Sequence, residues 1–142
     1  MNAVASGPVV VGVDGSEQSI HAARMAAEEA RLRGSELHVV HCVDIKPAVL
    51  HLPEGTTDTR EIAKRQHDAV HDAIGDALGN IAYERVGREG YAPDELTDYT
   101  EEVGAGLLVL GSRGRGRVAG AVLGSTSLRC LEQAKIPVLI VK

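Results

Sequence analysis

Hydrophobic positions along the chain fall into short continuous runs separated by longer stretches with helical spacing. PVVVGVD, residues 8–14, is a nearly unbroken apolar run closed by an acid, the pattern of a strand buried on both faces. Behind it, Ser16 is placed to cap a helix in which Glu17, Ile20, Ala23, Ala26, Ala27 and Ala30 lead to Gly34, a natural stop. ELHVVHCV, residues 36–43, predicts a second strand. The segment from Asp44 to Asp58, with Pro47, Pro53 and Gly55 and no sustained period, predicts a loop. Thr59 to Leu78 then reads as a second helix, highly charged in its first half, with Ile62, Val70, Ile74 and Leu78 facing inward. IAYERVGR, residues 81–88, alternates as a third strand near an edge does, and Pro93 opens a third helix through Leu96, Tyr99 and Val103. Leu107 to Leu110 form a fourth strand, a helix covers Ser125 to Ala134, and PVLIV, residues 137–141, is the fifth strand.

Five strands alternating with helices through short connections require parallel pairing, right-handed crossovers and helices on both faces of the sheet. The expected architecture is therefore α/β, a doubly wound open sheet in one domain over residues 1–142. Ligands of such sheets bind beyond the carboxyl ends of the strands, where strand order reverses. Asp14, Cys42 with Val43, and a glycine-rich loop after the fourth strand all lie at such ends.

Composition narrows the choices. With no Phe or Trp and only three Tyr, the core must be built from Val, Leu, Ile and Ala, and aromatic stacking on single-stranded bases is scarcely available. A formal charge of −5 disfavours a general nucleic-acid surface. No apolar run approaches the length of a membrane span and the first residues lack a secretory pattern, so the expected location is the cytoplasm. Cys42 and Cys130 form no CxxC pair and read as two buried free thiols in a reducing compartment.

The loop after the fourth strand, GSRGRGRVAGAVLGSTS, residues 111–127, carries the chemistry. Gly111 and Gly114 are separated by two residues, and nine more precede Gly124 and Ser125. Glycine lets backbone amides approach a ligand with no Cβ in the way, and Gly124-Ser125-Thr126-Ser127 opens a helix whose exposed N–H groups suit an anion. A Walker loop is excluded because no lysine follows Gly124, and a dinucleotide fingerprint on Gly114, Gly116 and Ala119 lacks the acid that would hold a ribose. The loop of adenylating pyrophosphatases is only distantly similar to GVDGS.

Four segments in order, VVVGVDGSEQS, LHVVHCVD, GLLVLGSRGRG with its glycine spacing, and IPVLIVK, resemble the universal stress protein family, in its ATP-binding branch, over nearly the whole chain. The resemblance implies a flavodoxin- or Rossmann-like three-layer α/β/α domain, a five-stranded parallel sheet of order 3-2-1-4-5, usually homodimeric, binding ATP or a related adenine nucleotide, with Mg²⁺ arriving on the phosphates. It places Val13, Asp14 and Gly15 against the adenosine, Cys42 and Val43 at the adenine, and Gly111, Arg113, Gly114, Arg115 and Gly116 along the ribose and phosphates. Gly124, Ser125, Thr126 and Ser127 would hold the phosphate tail. Two positions depart from the family pattern: Gly106, where relatives often have an acid, and Cys42, where many have Val.

Each of these residues also has a plainer reading. Asp14 could cap the first helix, although its place at a strand exit favours the ligand. Arg113, Arg115 and Arg117 could be a solvated loop face, with Arg115 the best candidate for a phosphate contact. His67 and His71 at helical spacing could share a metal, but no third ligand is evident, and a solvent-facing pair is expected. His41 reads as a satisfied core histidine. No nucleophile, base and orienting acid assemble in the sequence, so the chain is expected to bind rather than to turn over, with slow ATP hydrolysis or nucleotidyl transfer as the alternative.

Overall fold

Valine is the residue that makes the centre of this molecule. Val9, Val10 and Val11 of β1 (Val9–Val13) are wholly buried, because the strand has neighbours on both edges and helices on both faces. The computed structural model describes residues 7–45, 58–113 and 123–142. Its elements continue with α1 (Glu17–Arg33), β2 (Leu37–Val43), α2 (Thr59–Leu78), β3 (Glu84–Glu89), α3 (Ala92–Val103), β4 (Leu107–Gly111), α4 (Ser125–Gln133) and β5 (Val138–Val141). All pairings are parallel, in the order β3-β2-β1-β4-β5, with Val9 beside both Leu37 and Leu107.

The period of two along the strands divides the core. Val9, Val11, Val39 and Val109 point to one face, where the alanines of α1 and Val70, Ile74 and Leu78 of α2 cover them. Val10, Val40, Leu108 and Leu110 point to the other, against Leu96 and Tyr99 of α3 and Cys130 of α4. Ala22, Ala23, Ala26, Ala27 and Ala30 let α1 lie close over the sheet's centre. Ser16 caps this helix as expected, its Oγ accepting from Ser19 N–H at 3.2 Å, and Gly34, at φ 64°, ends it.

The third strand begins three residues later than its alternation predicts. Ile81 is exposed, and β3 starts only at Glu84, opposite His38 of β2. The earlier residues are spent on the exit from α2 around Gly79, at φ 65°, with the Tyr83 hydroxyl against Gly75. From β1 the chain steps outward to β2 and β3, then returns past β1 to β4 and β5. Crossovers leaving in opposite directions part the loops beyond β1 and β4, and a crevice opens there.

Candidate functional site

The crevice is a cavity of about 240 Å³. Its apolar wall is formed by Val40 and Cys42 of β2, Ala92 and Leu96 of α3, and Leu110 of β4, with Gly12 of β1 among them. Its polar wall is the exit of β1 at Asp14, the exit of β4 at Gly111 and Arg113, and the start of α4.

Local hydrogen bonds fix the β1 exit. Asp14 Oδ1 accepts from Ser16 N–H at 2.9 Å, while Ser19 Oγ accepts from the amides of Asp14 and Gly15 at 3.3 and 3.1 Å. Gly15 takes φ 85°, a turn conformation that side-chain-bearing residues rarely adopt. Asp14 thus shapes the turn and lines the cavity, while the capping role belongs to Ser16.

At the β4 exit the glycine has a packing cause. A Cβ on Gly111 would lie 3.2 Å from the backbone of Gln18, so its absence lets the first turn of α1 come close. Gln18 Oε1 accepts from Arg113 N–H at 2.6 Å and from Ser112 Oγ–H at 3.2 Å, pinning the first residues of the glycine loop. Ser127 Oγ donates to the Gly111 carbonyl at 2.7 Å, and Gly124 N–H donates to the Ser112 carbonyl at 2.7 Å. These bonds seat the amino end of α4 beside the strand exit. Gly124, at φ −71° and ψ 165°, brings no side chain to this end, and among the described residues none caps the first turn. Its amides and the positive end of the helix dipole therefore remain as an anion-attracting wall, with Ser125 exposed and Thr126 half-buried beside it.

Of the residues singled out from sequence, Val13, Asp14, Cys42, Gly111, Arg113, Gly124, Ser125, Thr126 and Ser127 come together around the cavity. Gly15 and Val43 adjoin lining residues without lining it themselves; Val43 gives its carbonyl to Gly90 N–H at 2.8 Å. Gly114, Arg115 and Gly116, with Arg117, lie outside the described residues. Sequence reasoning missed Gly12, Gln18, Ser19, Ala92 and Leu96. Gly12 had a legible signal, a lone glycine within VVVGV, which marks close approach in a strand.

Burial pushes the Cys42 thiol up to about 12, with the Glu95 carboxylate adding to the effect, so it lines the cavity as a neutral, weakly polar group. Cys130 is likewise pushed up to about 12 by burial, and both thiols are free. The expectation of a solvent-facing His67/His71 pair is corrected. His71 is 4% exposed and His67 is half-buried, because α2 turns this side toward β3. His41 is buried and partnered as expected, by His67. Among the described residues no three metal-ligating side chains converge, and no helix is long and apolar enough to cross a membrane.

The sequence model of the Universal stress protein family matches residues 6–142. The chain belongs to this family. It is 32% identical over 139 residues to a universal stress protein of Mycobacterium tuberculosis, covering 94% of each chain, and spans about half the length of other relatives from that organism. Among solved structures it is similar to a universal stress protein in complex with cAMP, at 28% identity and TM-score 0.67, with 96% of each chain covered. A family member from Archaeoglobus fulgidus in complex with dAMP is 29% identical with a TM-score of 0.62, over 96% of this chain and 98% of that one.

Proposed function

We propose that the crevice binds an adenine nucleotide and that this family member acts as a nucleotide-responsive regulator in stress adaptation. One observation carries the reading: a single cavity joins an apolar slot to the uncapped amino end of α4. A flat base fits between Val40, Cys42, Leu96 and Leu110, while a phosphate meets helix amides and a favourable dipole. The Asp14 carboxylate, at the β1 exit between these ends, suits the ribose hydroxyls. Relatives bound to cAMP and to dAMP support the same ligand class. Within that class we assign ATP, because Ser125, Thr126 and Arg113 add donors beyond the helix amides, with Gly114, Arg115 and Gly116 following directly in sequence. Magnesium would arrive on the phosphates.

Regulation is favoured over catalysis because no histidine lines the cavity among the described residues and the Cys42 thiol is held protonated. Two protonated thiols suit a reducing cytoplasm. A homodimer through β5 is part of the proposal. The edge strand β3, ERVGRE, is blunted by charge, whereas β5, VLIV, presents an apolar edge with three half-buried residues.

Equilibrium dialysis against labelled ATP, AMP and cyclic AMP, with Gly124→Val as the control, tests the reading. Valine adopts the Gly124 backbone angles readily, so the variant should fold and lose binding by about tenfold or more as its side chain crowds the phosphate. Unchanged affinity in the variant would overturn the assignment. ATP turnover that rises with an acceptor would make the protein an enzyme.

A further inference from the structure

Outside the cleft, two histidines meet where α2 crosses β2 and β3, with a third, His71, one helical turn along α2. The Nδ1 atoms of His41 on β2 and His67 on α2 are 2.7 Å apart, their rings edge to face with centroids 4.8 Å apart. The seat is shaped for an imidazole, since a Cβ on Gly87 of β3 would fall 2.8 Å from His67 Cδ2. One helical turn on, His71 Nε2–H donates to the Val86 carbonyl at 3.1 Å, and its buried Nδ1 has no hydrogen-bond partner among the described residues.

The charged groups around this cluster are Arg60, Lys64 and Asp68 from α2 and Arg85, Arg88 and Glu89 from β3, Arg88 being held by Glu95 and Glu102 of α3; among the described residues α1, which also packs on α2, sends no side chain into the adjoining cavity. Lys64 pairs with Asp68 at 2.7 Å, and Arg85 with Asp72 at 3.2 Å. Burial lowers the pKa of His67 and of His71 from 6.5. Glu89 and Asp68 work against this at His67, and Arg85 reinforces it at His71. A lowered folded pKa means that the neutral cluster's full contribution is present above the ordinary histidine value and drains away as the pH falls below it.

The facing nitrogens set the condition for release. One N–H···N bond needs one proton between two nitrogens. Two neutral rings satisfy that, and so does a pair with one extra proton; with two extra, both Nδ1 atoms carry hydrogen and oppose each other. What the contact restrains is one half of α2. Val70, Ile74 and Leu78 anchor the second half in the core, whereas Ala63 is the apolar residue buried from the first. We propose that the His41–His67 pair is an acid-released latch, which frees the first turns of α2 from the sheet while the second half stays docked.

Hydrogen exchange on the intact protein at about pH 7.5 and about pH 4.5, expressed as protection relative to intrinsic rates, tests the latch. Protection over residues 60–68 is expected to fall about tenfold or more relative to residues 72–78 on acidification. His67→Phe, which keeps a ring over Gly87 but cannot titrate, should abolish that difference. Halves of α2 that respond alike, or a His67→Phe protein that responds as the parent does, would overturn the proposal. Should the variant not fold, ¹⁵N titration of the parent imidazoles decides. His41 and His67 are expected to titrate as a coupled pair in two separated steps, and independent titration of each near the ordinary histidine value refutes the latch.

Discussion

Gly12 keeps room in the apolar wall of the cleft. A Cβ there would sit 2.9 Å from the ends of both Leu110 and Leu96, so any side chain pushes those leucines into the slot. Gly12→Val is expected to weaken nucleotide binding and to cost about 1–3 kcal/mol by overpacking, measured by dialysis and by urea denaturation respectively. Cys42 gives a second test at this scale. With its thiol pushed up to about 12 from an ordinary 9.0, it carries roughly a thousandfold less thiolate at about pH 8 than an exposed cysteine. Alkylation by iodoacetamide, followed by mass spectrometry, should be slower by a similar factor and slower again with ATP bound. The chain order alone placed Cys42 and Asp14 at strand ends. It could not show that Gly111 serves helix packing, because the clash partner, Gln18, is brought there only by the fold.

Among the elements, α4 is held by its first turn. Ser127 is buried and gives its hydroxyl hydrogen to the Gly111 carbonyl, so it positions the helix whose amides face the cavity. Ser127→Ala should cost about 1–3 kcal/mol in urea denaturation, since it leaves that carbonyl short of a partner, and should reduce ATP affinity through the displaced helix start. Among the described residues periodicity located the five strands and four helices, with the start of β3 misplaced by the turn out of α2; most of the loop expected over 44–58 lies outside the described residues, and Ile45 within it is helical. On α2 the charged first half was legible, but the inward turn of His71 was not. A histidine reads as polar in any pattern, and only the carbonyl of Val86 across the gap makes its burial tolerable.

For the molecule as a whole, the unequal edges make the clearest prediction. If β5 pairs with its copy, light scattering at micromolar concentration gives twice the monomer mass, and Ile140→Lys, placing a charge on this half-buried apolar edge, gives the monomer. A parent protein that is monomeric under those conditions removes the dimer from the proposal. The arrangement of valine runs, alanine-rich helix and short connections was sufficient by itself to set the fold class, since period and turn chemistry are local and survive in one dimension, while the family was legible only as a resemblance of four segments to known proteins. Tertiary structure decided which residues meet: Leu96 with Val40 in the apolar wall, Gln18 with Arg113 at the loop, His67 with His41 behind it. Those contacts depend on crossover direction and strand register, which bring together side chains far apart in sequence that no local pattern links.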